Sequence, residues 1–363
     1  MGEIALRYPP RSLVVSTGAY EDSAASDARF PQVIDRVGIR ATRLRTIQGL
    51  ALWTWRVRRL AKQWTPGFAW CAELKPAAYP ARWLGGIPYG IIVHGTELLL
   101  IDEKIRRSRF KRGTAGSILG KAAVLVALSR WTADLARKVL DSLELDVPIE
   151  IVHLGTTPSY FRPGVDTTQV RQKYGLHGGP WLLTVARLEW HKGIDTVMKA
   201  LPAIRAMHPA TRYAIVGMGD LLPKFQQLHR ELGLGDAVRF LTGVPDDDLP
   251  ALYNAADLYV GASRRYDLLA EGFGIALVEA SASGLAVVGG RSGGVPDAVR
   301  EGETGILVDP DDPAAVASGV NELLANPERR KQLGAAGRKA VETYYNWDRV
   351  VKDLRQIDQK YRR

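Results

Sequence analysis

The chain of 363 residues has a single cysteine, Cys71. No internal disulfide and no thiolate metal cluster can form, and the expected location is a reducing cytoplasm. Also missing is any stretch approaching the ~20 consecutive apolar residues that span a bilayer. Met1 to Pro10 is charged and carries Pro9 and Pro10, so it does not read as a signal peptide. His, Asp and Cys do not cluster at metal-ligand spacing, and Asp246-Asp247-Asp248 reads better as a helix start than as a metal site. Gly217-Met218-Gly219 follows an apolar run, but Leu222 stands where a dinucleotide fingerprint needs its third glycine. That excludes an NAD reading. Internal repeats and low-complexity segments are absent as well.

Acidic residues are scarce in the first half only. Residues 1–164 carry 24 Lys and Arg against 14 Asp and Glu, whereas residues 165–363 carry 25 of each, so the net charge of +10 belongs to the first half. It concentrates in Arg56-Val57-Arg58-Arg59 with Lys62, and in Lys104 to Arg112. Within the second run Arg106, Arg107, Arg109, Lys111 and Arg112 are interleaved with Ile105 and Phe110, the pattern of an interfacial segment on anionic lipid. A solvated basic face without a partner is the competing reading. Nucleic acid is not expected, because no recognisable nucleic-acid module accompanies the charge.

The length suits two domains, each able to bury its own core. In the first half, strands are expected at Leu13–Thr17, Phe68–Cys71, Tyr89–His94, Ala123–Ala127 and Ile149–His153. Helices are expected at Gly49–Gln63, Pro76–Leu84 and Arg130–Leu143, the last introduced by Ser129. The second half reads as six strands, Trp181–Ala186, Arg212–Val216, Val238–Leu241, Leu258–Val260, Leu285–Val288 and Gly305–Val308. Helices alternate with them, hence a parallel sheet covered on both faces. Asp312 before Pro313 reads as an N-cap with Pro at the first helical position. Phe161-Arg162-Pro163-Gly164 is punctuated like a linker. Val350, Val351, Leu354 and Ile357 make the last segment amphipathic.

The most informative stretch runs from Gly261 to Asp297. Glu271 and Glu279 are eight residues apart; on one helix they would lie about 80° apart. The better arrangement puts Glu271 in a loop and Glu279 on the helix that Gly284 closes. Gly272 and Gly274 then let backbone N–H groups approach a ligand at the helix start. A second glycine turn, Ser292-Gly293-Gly294-Val295-Pro296-Asp297, follows the next strand and opens another helix. Two such turns behind consecutive strands suit a polyhydroxy ligand carrying phosphate. In the first half, His94-Gly95-Thr96-Glu97 follows an apolar strand, which places His94 at a carboxyl end, where open α/β sheets bind ligands. In the turn after Leu182–Ala186, Arg187 and Lys192 are five residues apart.

Glu271-Gly272-Phe273-Gly274-Ile275-Ala276-Leu277-Val278-Glu279 resembles the Glu, seven residues, Glu motif of retaining nucleotide-sugar glycosyltransferases of family 4. The resemblance continues in order through Val185 to Gly193, Gly217-Met218-Gly219, Phe240 to Gly243, Ala256-Asp257-Leu258 and Gly302 to Gly305. It implies an α/β GT-B fold, with two Rossmann-like, doubly wound parallel-sheet domains facing across a cleft. The implied boundaries are 1–162 for an acceptor-side domain, 163–344 for a nucleotide-sugar domain, and 345–363 for a helix returning to the first. Against that pattern, Glu3 to Arg11 resembles the end of the family's first helix and Leu13–Thr17 its second strand. Either Met1 is not the true start, or the first domain lacks its first strand and helix together with the Gly-Gly loop between them.

The resemblance also implies the site. His94, Glu271, Arg187 and Lys192 form the catalytic set. His94 faces the donor sugar, Glu271 holds sugar hydroxyls, and the two cations clamp the diphosphate. Glu279 takes the ribose hydroxyls, and Phe273, Gly274 and Ile275 present backbone N–H groups, with Gly217, Gly243 and Val244 beside the donor. No cofactor or metal is called for, since cations and helix N-termini neutralise the leaving diphosphate. The closest likeness is to phosphatidylinositol mannosyltransferases, which implies GDP-mannose as donor and a lipid or glycan acceptor. It also implies a cytoplasmic enzyme at the inner face of a membrane, the basic run meeting acceptor and surface. A hydrolysing nucleotide-sugar epimerase and a non-catalytic nucleotide-sugar-binding protein stay open as alternatives.

Overall fold

Short β-branched runs bounded by glycine turns alternate with amphipathic segments, and the computed structural model, which describes residues 2–20 and 23–362, is a succession of parallel strands and helices. Met1 and Arg363, the outer bounds of the expected domains, fall outside the described residues. The chain divides into two compact units, one running to Val152 and resuming at Trp347, the other His153–Asn346.

The first unit has two sheets. β1 (Val14–Ala19) and β2 (Val33–Arg40) pair in parallel by themselves. β3 (Ala69–Cys71), β4 (Tyr89–Val93), β5 (Val124–Ala127) and β6 (Ile149–Ile151) form a four-stranded parallel sheet in chain order. The helix Ile47–Trp64, opened by the Thr46 side chain accepting from Gly49 N at 3.1 Å, ties the two together. Its Trp53 donates to Ser16 Oγ at 3.0 Å, and its Arg56 pairs with Asp35 of β2 at 2.6 Å. Val57 and Ala61 pack instead on the core of the larger sheet, built around Ile91, Val93, Leu125 and Leu140. The segment before β1 is a helix, Gly2–Arg7, packed on the helix Trp347–Tyr361, where Arg7 approaches Asp348 at 3.2 Å. Val350, Val351, Leu354 and Ile357 are buried.

Three expectations need correction here. β2 was not foreseen. The helix expected over Pro76–Leu84 is a single turn, Ala78–Ala81. The basic run is not one segment: Ser108, with extended backbone, ends the helix Thr96–Arg107 and caps the helix Arg109–Leu119.

The second unit contains one six-stranded parallel sheet. Its strands are β7 (Trp181–Val185), β8 (Arg212–Val216), β9 (Val238–Leu241), β10 (Leu258–Gly261), β11 (Val287–Gly290) and β12 (Gly305–Val308). They lie in the order β12-β11-β10-β7-β8-β9. Nearly every strand residue is buried, as a sheet covered on both faces requires. Asp312 accepts from Ala314 N at 2.8 Å at the start of the helix Pro313–Ala325. Phe161 is buried in this unit and forms edge contacts with Tyr160 and Tyr253, while Arg162, Pro163 and Gly164 after it are exposed.

Candidate active site

Because all six strands of the second unit are parallel, every loop leaving a carboxyl end opens on one edge of the sheet. From β7 the chain moves outward through β8 to β9, and from β10 outward through β11 to β12. The order reverses between β7 and β10, and such a reversal leaves a crevice between diverging loops. Lys192 comes from the β7 side of it and Glu271 from the β10 side.

Glycines set how closely those loops meet. Gly193, at φ 67°, follows the short turn Trp190–Lys192, and a Cβ there would lie 1.8 Å from the Ala262 carbonyl oxygen. Only glycine lets the two backbones touch. That contact brings Lys192 Nζ to 2.6 Å from Glu271 Oε2, with both side chains mostly buried. Gly293, at φ 58°, is equally constrained: its Cβ would be 2.4 Å from the Glu271 carbonyl oxygen, which accepts from Gly294 N at 2.8 Å. The second glycine turn therefore supports the Glu271 backbone, a task its sequence did not reveal.

Beyond Glu271, Phe273 is fully buried and stacks on His153 with ring centroids 5.7 Å apart. His153 is in turn 3.1 Å from Tyr344 Oη and 3.8 Å from Asp297 Oδ2. This shelf fixes the chain just before the helix Ile275–Ala282, whose N-cap is Gly274 and whose start no side chain caps. First-turn N–H groups lacking an intrahelical partner favour an anionic ligand. Glu279 sits further along that helix and accepts from Tyr253 Oη at 2.8 Å. Burial pushes its carboxyl up to about 7, opposed by the Tyr253 hydrogen bond and assisted by the negative charge of Asp246. Tyr253 was not singled out in the sequence; its partner lies 26 positions away and only the fold shows the pairing.

The remaining expected residues are distributed as follows. Arg187 is exposed and pairs with Glu189 at 2.8 Å, so it does not join Lys192 in this structure. Gly217 follows β8 and its N–H donates to Leu241 O at 3.0 Å. Gly243 and Val244 lie in the turn after β9. His94 belongs to the first unit, at the carboxyl end of β4. Its N–H donates to Glu97 Oε1 at 2.5 Å, and its Nε2 lies 2.8 Å from Ala72 O. In the basic run, Arg106 pairs with Asp102 at 3.1 Å, Arg107 with Glu103 at 2.8 Å and Arg112 with Glu144 at 3.3 Å. Its charge is thus partly compensated. Among the described residues, no group of three or more His, Cys, Asp or Glu could hold a metal ion, and no helix is long and apolar enough to cross a membrane.

Residues 166–340 match the family model for glycosyl transferases group 1. The chain is 33% identical over 298 residues to a GDP-mannose-dependent alpha-(1-6)-phosphatidylinositol monomannoside mannosyltransferase of Mycolicibacterium smegmatis, covering 80% of this chain and 76% of the relative. It is 31% identical to a D-inositol 3-phosphate glycosyltransferase of Acidothermus cellulolyticus, over 75% of this chain and 61% of that one. Among solved structures, Anabaena HepE in complex with UDP superposes with a TM-score of 0.78 at 18% identity, covering 99% of this chain and 96% of that one. The sucrose-phosphate synthase of Thermosynechococcus elongatus gives 0.71 at 22% identity, over 90% and 82%.

Proposed function

The chain belongs to the group 1 glycosyltransferases, with their GT-B fold, and from that premise we propose that it moves a mannosyl group from GDP-mannose to a lipid-linked acceptor, with retention and without a metal ion. The observation that carries this reading is the Lys192–Glu271 pair at the β7–β10 reversal, with the uncapped helix Ile275–Ala282 beside it. A nucleoside diphosphate sugar has a group for each part of that crevice. Lys192 takes the diphosphate together with the first-turn N–H groups; Glu271 accepts from sugar hydroxyls; Glu279 accepts from the ribose. Arg187 reaches the diphosphate by leaving Glu189, an exchange that is easy for an exposed pair. Mannose and the phosphatidylinositol-type acceptor rest on the Mycolicibacterium relative, whose name carries both.

The transfer proceeds by front-face attack. The acceptor oxygen bonds to the anomeric carbon as the bond to the β-phosphate oxygen breaks, and the acceptor's proton passes to the departing phosphate. Lys192 stabilises the charge that develops there, the kind of interaction worth about 10²–10³ in rate. Neither carboxylate acts as a nucleophile, unlike in retaining glycosidases. In the first unit His94 is a catalytic residue, and Arg106, Arg107, Arg109, Lys111 and Arg112 lie at the surface of an anionic membrane. The enzyme then works in the cytoplasm at the inner leaflet.

The test is a thermal-shift panel of nucleotide sugars followed by turnover with a phosphatidylinositol-type acceptor in EDTA. GDP-mannose is expected to give the largest shift, ligand at a hundred times its Kd adding about 2.7 kcal/mol, and the product is expected to be an α-mannoside. Free GDP and an epimerised sugar without acceptor would identify a hydrolysing epimerase. Donor binding without any product would leave a binding protein, and loss of turnover in EDTA would overturn metal independence.

A further inference from the structure

The first unit has a large open cavity. It is a groove of about 1560 Å³ walled by the helices Ile47–Trp64, Thr96–Arg107 and Arg109–Leu119. Apolar side chains make its floor, among them Leu50, Leu100, Ile101 and Ile118. Its lips hold large apolar residues in water: Ile47 is 88% exposed, Phe110 83%, Trp55 57% and Trp83 52%. A folded chain gains nothing from leaving these four around one opening, and a rimmed apolar patch of this kind marks an interaction site. The charge around it is one-sided, with eight Lys and Arg lining the groove against Glu73 and Glu97 alone. The cations stand over the aromatics, Arg59 at 5.9 Å from the Trp55 ring and Arg82 at 5.3 Å from that of Trp83. Apolar floor, amphipathic aromatic lips and cationic rim are the three surfaces that an anionic amphiphile presents in complement.

We propose that this groove takes up one acyl chain of an anionic phospholipid from the membrane, with the lipid phosphate held among the rim cations. Trp55, Trp83, Phe110 and Ile47 enter the interface around it. The placement is useful because Thr96 and Glu97 line the same groove, and Glu97 Oε1 accepts from His94 N. A lipid lying in the groove would carry its headgroup toward the His94 turn. The proposal builds on the lipid-acceptor reading above and adds where the acceptor's chain goes, which a surface basic run alone does not provide.

Binding is measured on the full chain without donor, so it does not depend on transfer. Vesicles of phosphatidylglycerol brominated on the acyl chains are expected to quench tryptophan fluorescence, and brominated phosphatidylcholine vesicles to quench it at least tenfold less at equal lipid. The Trp55→Phe, Trp83→Phe double variant should lose most of the quenching while still pelleting with the lipid. Short-chain soluble phosphatidylglycerols should compete with an affinity that rises about fourfold per methylene and levels off once the groove is full. Ile47→Ser with Phe110→Ser, both at exposed positions, should weaken binding at least tenfold with no loss of melting temperature. Equal quenching by neutral and anionic lipid, competition by glycerol phosphate with no dependence on chain length, or quenching untouched in the double variant would each overturn the proposal. Dimer formation that buries the same tryptophans would overturn it in favour of a second copy. Transfer to a lipid acceptor without any quenching would overturn the groove and leave the transferase reading standing. Quenching without transfer would overturn the acceptor reading and leave the groove.

Discussion

The two units are built from the same parts, parallel strands with covering helices, and they spend them differently. The second closes one sheet over one core, balances its charges, and lets glycines press loop backbones together at a single edge. What results is a crevice where a cation and two carboxylates are fixed to within hydrogen-bonding distance of named partners. The first splits its strands into two sheets held by one helix, is rich in positive charge, and leaves aromatics around an open groove. A ligand of defined shape calls for the first kind of construction. A lipid surface, which has charge and depth but no fixed shape, calls for the other.

The sharpest way to break the comparison is at its tightest contact. Gly193→Ala forces a Cβ into the Ala262 carbonyl at positive φ, so the second unit should lose about 4 kcal/mol or more, the range reserved for such defects. Two-transition melting would show the loss in one unit; an unchanged melt would mean the loops are not in contact. Next in size, Lys192→Ala should lower donor turnover about 10²–10³-fold and Arg187→Ala less, since Arg187 is exposed and otherwise engaged. Steady-state rates with saturating acceptor check the order.

Glu279→Gln sharpens the comparison through pH. The folded pKa of Glu279 is raised to about 7, so the folded state holds the proton more tightly than the unfolded one. Its carboxyl favours folding below about 4.5, and that advantage fades as pH rises toward 7. The Gln variant, which cannot ionise, should therefore melt higher than the wild type at pH 8, by the equivalent of about 1–3 kcal/mol, and no higher at pH 4.5. If Glu279 holds the ribose as proposed, donor affinity should fall in the same variant. The smallest effect belongs to the first unit. Arg56→Ala leaves Asp35 buried without its guanidinium, at a cost of about 1–3 kcal/mol. GDP binding should not change, which titration calorimetry checks.

How much of this was legible in the sequence also follows the comparison. The six strands of the second unit stood out because each is a short apolar run stopped by a turn, and Glu271 and Glu279 fell in loop and helix as their glycines required. The union of Lys192 with Glu271 was not legible. It spans 79 positions and depends on β10 lying beside β7, a neighbour relation that no local pattern encodes. In the first unit β2 was missed because Asp35 and Arg36 interrupt its apolar run; each is satisfied by a distant partner, Arg56 and Asp27. The basic run hid two helices because Ser108 is a break that also caps. The basic runs and Phe110 marked the rim of the groove but not its depth, because its walls join the helix Ile47–Trp64 to the later, consecutive helices Thr96–Arg107 and Arg109–Leu119.

The central claim is that the β7–β10 crevice binds the donor diphosphate through Lys192. Titration calorimetry of GDP into the wild type, Lys192→Ala and Arg56→Ala tests it most directly. The account predicts binding by the wild type and Arg56→Ala alike and a loss of at least tenfold in Lys192→Ala. Equal GDP affinity in all three would contradict it.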